Sequence, residues 1–83
     1  MNRQEFSRLR QHFNSYVDSF RDVDAKLHPM MELKLQHSLR VADEARGIAT
    51  DLVWAESDVI LAETIGLFHD VGRFLQYQKY QTY

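Results

Sequence analysis

The stretch "MMELKLQHSLRVADEARGIATDLV", Met30 to Val53, decides the fold. Its apolar residues recur at spacings of three and four rather than two. Turning each residue by about 100° gathers Met30, Leu35, His37, Leu39, Val41, Ala42, Ala45, Ala49 and Leu52 into one broad arc. Arg40, Asp43, Glu44, Gly47 and Asp51 fall on the opposite side. An apolar arc this wide belongs to a helix packed on two sides, with His37 at its edge. Pro29 suits the first turn of such a helix, because its fixed φ is already helical and its missing N–H would have had no partner there.

The segments on either side keep the same period. Upstream, Phe6, Leu9, Phe13, Val17 and Phe20 place an aromatic-rich stripe on a helix from about Gln4 to Phe20, and the connection Arg21 to Pro29 breaks the pattern. Downstream, Ser57 is the expected N-cap of a third helix, with Glu56 and Asp58 near the positive end of its dipole. That helix runs through Val59, Ile60, Ala62, Ile65 and Phe68 to about Asp70, with Gly72 as its stop. Phe74, Tyr77, Tyr80 and Tyr83, spaced by three, fit one more helical turn or a packed loop. No strand pattern, repeat, linker or low-complexity segment competes, so the sequence predicts an all-α helical bundle.

Composition narrows the function classes. With 83 residues, 45% of them hydrophobic and 27% charged, the chain can build one small core but not two. Ten Lys+Arg against twelve Asp+Glu give a net charge of -2 without a run of like charge, so no nucleic-acid partner is expected. There is no cysteine, which removes disulfides, zinc thiolates and thiol nucleophiles together and leaves nitrogen and oxygen as metal ligands. The N-terminus "MNRQEFSRLRQHF" lacks the apolar core of a signal peptide, and no apolar run approaches the roughly 18 residues of a membrane span. A cytoplasmic location without a membrane partner is the expectation.

Against this background "IGLFHDVGRF", Ile65 to Phe74, sets a chemical problem. His69 and Asp70 stand among Leu67, Phe68, Val71 and Phe74. A carboxylate in such surroundings must be exposed, strongly hydrogen-bonded or bound to a cation. His37 lies on the preceding helix, which a short turn makes antiparallel. If the turn spans Trp54 to Ser57, the axial offset between His37 and His69 is about 8 Å at about 1.5 Å per residue. With about 9 Å between helix axes, the two imidazoles reach one ion only near the limit of their length. Neighbours on a helix point about 100° apart, so His69 and Asp70 share an ion only if it sits between their directions, a freedom that a helix end supplies.

Each of these residues also has a plainer reading. His37 alone reads as a hydrogen-bonded boundary residue, Asp70 and Arg73 as an i, i+3 ion pair, and Arg40 as a solvated side chain of the polar arc. His12 and His28 have no motif around them and are assigned to the surface or a loop. Trp54 and the tyrosines read as packing residues, because no basic patch accompanies them.

"QHSLRVA" (Gln36 to Ala42) followed by "FHDVGRF" (Phe68 to Phe74) resembles the two opening motifs of the HD-domain metal-dependent phosphohydrolases, an all-helical superfamily named for its His-Asp doublet. The resemblance covers about Leu33 to Tyr83. It makes residues 30–83 the N-terminal half of an HD domain, a partial HD-domain fold, preceded by a helix and connection at 1–29 in the same structural unit. It implies that His37, His69 and Asp70 are ligands of a divalent metal and that Asp70, Arg40 and Arg73 serve catalysis. Such donors suit manganese, iron, cobalt, nickel or zinc, and magnesium where carboxylates dominate. The ion would polarise a phosphoryl oxygen and acidify a bound water, while Arg40, Arg73 and Lys34 would hold phosphate oxygens.

The family's later aspartate has no counterpart before Tyr83. The expectation is therefore a fragment of a metal-dependent phosphohydrolase acting on a nucleotide or other phosphate ester, with turnover near background in these 83 residues. Two rivals from other classes are a catalytically silent helical module that self-associates and an iron-dependent oxygenase using the same two histidines and one carboxylate. The three apolar faces exceed what three helices can cover, so a homo-oligomer is expected.

Overall fold

The computed structural model describes residues 1–81. Over them the chain forms α1 (Arg3–Asp18), α2 (Pro29–Asp51), α3 (Glu56–Phe68) and α4 (Gly72–Tyr80), with no strand among the described residues. The expectation for Tyr83 lies outside them.

The helix ends explain where the elements begin and stop. Asn2 and Glu5 close a capping box at α1: Glu5 N donates to Asn2 Oδ1 at 2.8 Å, and Asn2 N donates to Glu5 Oε1 at 3.2 Å. The connection to α2 is held by Asp22, whose Oδ1 accepts from the backbone N–H groups of Asp24 and Lys26. Pro29 opens α2 as expected, and His28 caps it by accepting from Met30 N through Nδ1 at 3.1 Å.

The turn from α2 to α3 differs from expectation. Val53 takes the left-handed conformation, φ 59°, and Trp54 N donates back to Ala49 O at 3.1 Å. This compact closure lets α3 start at Glu56, so the capping position falls to Ala55, and Ser57 lies inside the first turn. Ala55 offers no side-chain bond; its carbonyl accepts from Asp58 N and Val59 N. Nor does Gly72 stop a helix. It has no positive φ and opens α4, so the aromatic series after the doublet is a nine-residue helix.

Phe6, Phe13 and Val17 of α1, Met31 and Ala42 of α2, Ile60 and Leu67 of α3, and Phe74 and Tyr77 of α4 make one core. Burying side chains such as Phe13 and Phe74 completely contributes about 1.5–3 kcal/mol each. Phe13 meets Phe68 edge to face, and Phe20 and Tyr16 both pack on Phe74. The α1 stripe is thus covered by the chain's own helices. The predicted arc of α2 is displaced at its ends. Met31 is buried in place of Met30, and Leu52 lies 60% exposed. On α3, Ile65 is likewise exposed. Among the described residues, no helix is long and apolar enough to cross a membrane.

The packing that positions the site is between α2 and α3. A Cβ added at Gly66 would meet Ala42 Cα and Val41 O at 3.0 Å, so the two backbones touch there. Three residues after Gly66, His69 meets His37, which lies five residues before Ala42. The helices therefore run antiparallel.

Candidate metal centre

His37 sits in the middle of α2, half-buried on the face turned towards α3. The doublet lies just where α3 ends. Phe68 is the last helical residue, His69 is the C-cap, and Asp70 lies in the turn closed by Val71 N donating to Phe68 O and Arg73 N donating to Asp70 O. Freed from the helix repeat, both doublet side chains turn to the same side. His69 Nε2 is 3.2 Å and His37 Nε2 3.8 Å from Asp70 Oδ2, and the two imidazole centroids are 5.2 Å apart.

One donor atom from each of His37, His69 and Asp70 lies within 4.8 Å of the others. Ligand atoms about 2.1 Å from a shared ion lie about 3.0–3.4 Å apart when adjacent; the His69–Asp70 separation of 3.2 Å falls in that range, and the His37–Asp70 separation of 3.8 Å lies just beyond it. The tautomer also fits. In its neutral form His69 donates Nδ1–H to the Gly66 carbonyl oxygen at 2.6 Å, which leaves the Nε2 lone pair facing the Asp70 carboxylate. Two acceptors face each other there, an arrangement that a cation relieves. By its donor chemistry the set fits a divalent ion.

Charges around Asp70 favour its ionised form. Burial pushes its carboxyl up, but the hydrogen bond from Lys34, the attraction of His69 in its cationic form and the charges of Lys34 and Arg73 outweigh this and hold it below the ordinary 3.8. Lys34 Nζ donates to Oδ2 at 3.2 Å, and Arg73 Nε stands 3.7 Å from Oδ1. Arg73 also donates to Gln76 Oε1 at 2.8 Å, so its guanidinium links the carboxylate to a side chain of its own helix, α4.

Arg40 is exposed and stands apart from this cluster. It borders a groove that it shares with Met30, Leu33, Lys34 and His37. On the other side, an apolar cleft lined by Val41, Ala45, Trp54, Leu61 and Ile65 runs up to His69. Trp54, expected to pack, is half-exposed in that cleft; of the tyrosines expected to pack, Tyr77 is buried and Tyr80 is exposed. Sequence reasoning missed the pairing of Lys34 with Asp70, which are 36 positions apart with no local signal to join them. It also missed Ser38, fully buried, with an Oγ that has no hydrogen-bond partner among the described residues.

The family model described as the HD domain matches residues 35–82, more than half of the chain. No curated protein and no solved structure matches it. His37, His69 and Asp70 all lie inside the matched span, and with them the chain belongs to the HD-domain superfamily, whose members in general depend on a divalent metal and act on phosphate esters.

Proposed function

We propose that His37, His69 and Asp70 hold a divalent cation and that the site binds a phosphate ester, of the nucleotide class or a related monoester or diester, as a metal-dependent phosphohydrolase does. The observation that carries this reading is the convergence of three donor atoms within 4.8 Å at the end of α3. A bound ion supplies a Lewis acid for a phosphoryl oxygen and lowers the pKa of a water. The chain's residues do the rest. Asp70 contributes the negative charge that selects a cation, and His69 is held in the ligating tautomer by Gly66 O. Arg73 beside Asp70, and Lys34 and Arg40 along the adjoining groove, balance the charge of a phosphate. The His69 end of the cleft suits the organic part of the ester.

The test is calorimetry with manganese, then with p-nitrophenyl phosphate on the manganese-loaded protein. The reading expects both to bind the wild type, with His69→Ala and Asp70→Asn losing manganese and His12→Ala keeping it. Equal binding by all variants would refute it. The donor set also favours a second reading as an iron(II) oxygenase, which oxygen uptake with ferrous iron separates from phosphate chemistry. Self-association belongs to the same proposal: Ile48, Leu52, Trp54, Leu61 and Ile65 leave an exposed apolar strip along α2 and α3 that a second copy would cover.

A further inference from the structure

Lys34 lies one turn before His37 on α2, and its ammonium occupies the oxygen on which the proposed site depends. Its Nζ donates to Asp70 Oδ2 at 3.2 Å, the same atom that lies 3.2 Å from His69 Nε2 and 3.8 Å from His37 Nε2. The other carboxylate oxygen, Oδ1, faces Arg73. The Lys34 and Asp70 side chains keep 24% and 19% of their exposure, so neither charge is fully hydrated and each lowers the cost of the other. A divalent ion held by the three donors and the Lys34 ammonium therefore compete for one oxygen atom. They also repel each other at contact distance.

Lys34 is able to leave. An ammonium on a four-carbon stem reorients without moving the helix that carries it, unlike the His69 imidazole, which its bond to Gly66 O orients. Where it goes is limited by its surroundings: Lys34 shares a groove with His37 and the exposed Arg40 guanidinium, two cationic heads on the approach to the site. Resting on the metal-site reading above, we propose that Lys34 is an exchangeable counter-ion that neutralises Asp70 until a divalent cation displaces it from Oδ2, and then presents its ammonium to a phosphoryl oxygen in the groove shared with Arg40.

Two consequences follow from competition for one atom. Removing the lysine charge strengthens binding of the cation. An anion that engages Lys34 releases Oδ2, so anion and cation strengthen each other, each by the same factor. A lysine that merely tied α2 to the turn after α3 would do the opposite, since its loss would loosen the three donors.

The experiment is titration calorimetry with manganese chloride in phosphate-free buffer on wild type, Lys34→Met, Lys34→Arg and His69→Ala, with circular dichroism melts on each. Exchange predicts that Lys34→Met binds manganese about ten-fold tighter or more, as expected from removing a full charge at contact distance. Lys34→Arg should stay near wild type, because it keeps the charge. Added inorganic phosphate should tighten manganese binding more in wild type than in Lys34→Met. If manganese binding is lost in His69→Ala but Lys34→Met binds as the wild type does or more weakly, the exchange is refuted while the metal site stands. If His69→Ala binds manganese as the wild type does, or neither wild type nor Lys34→Met binds it, the metal-site reading itself fails.

Discussion

Replacing Gly66 by alanine tests the contact on which the site's geometry rests. The added Cβ would stand 3.0 Å from Ala42 Cα, 3.0 Å from Val41 O and 3.2 Å from Ala42 N. All three are backbone atoms of α2, so no side-chain rotation relieves the clash. Ordinary carbon contacts begin near 3.5 Å, so α2 and α3 must part by about 0.5 Å at this level. Overpacking of this kind costs about 1–3 kcal/mol, and the better helix propensity of alanine returns about 1 kcal/mol. The net loss is about 1 kcal/mol, or about 4–8 °C in Tm for a domain of this size. Gly47 is the internal control. It is also helical, but nothing lies within 4 Å of its added Cβ, so Gly47→Ala should gain about 0.5–1 kcal/mol. The two alanines should therefore shift Tm in opposite directions in metal-free thermal melts. Because His69 follows Gly66 by less than one turn and donates to its carbonyl, Gly66→Ala should also weaken manganese binding. Equal stabilisation by both alanines, with manganese affinity unchanged in Gly66→Ala, would show that the close approach of α2 and α3 does not set the site.

Three further outcomes are expected. Val53 is 87% exposed with φ 59°, a conformation that costs a branched L-residue about 1–2 kcal/mol, so Val53→Gly should raise Tm by a few degrees despite its greater unfolded-state entropy; a lower Tm would locate the turn's stability elsewhere. Asp70 is held below its ordinary value of 3.8 in the folded chain, so the stability it contributes is complete above that value and is lost as pH falls through the lower folded pKa. With EDTA present, the stability difference between wild type and Asp70→Asn should shrink below about pH 4, and a pH-independent difference would remove the electrostatic account. Sedimentation equilibrium should show concentration-dependent mass for the wild type and a monomer for Trp54→Glu with Ile65→Glu; a monomeric wild type at high concentration would end the proposal of self-association.

What was legible in the sequence was local. The period of three and four in Phe6, Phe13 and Val17 and along Met30 to Val53 reports a helix because each residue's direction follows from its neighbours alone. Pro29 at a helix start is local in the same sense, and so is the Asn2–Glu5 box, whose pattern stands in the sequence although the helix was expected to begin later. The two motifs that surround His37 and His69 were legible for the same reason, as short strings at a fixed separation.

The rest depended on which surfaces meet. Met31 rather than Met30 enters the core, and Ile65 is left outside, because burial on a helix depends on where its partners lie and the period alone does not give that. The early start of α3 follows from Val53 turning left-handed, a choice that no residue preference at that position announces. The convergence of His37, His69 and Asp70 had two tertiary causes. A glycine lets the α2 and α3 backbones touch, and a helix ending at Phe68 lets two adjacent side chains point the same way. Lys34 and Asp70 meet across 36 positions for the same reason. Sequence order determined the helices and set His37, His69 and Asp70 in their motifs; the approach of two backbones brought both imidazoles and the Lys34 ammonium to one oxygen atom of Asp70.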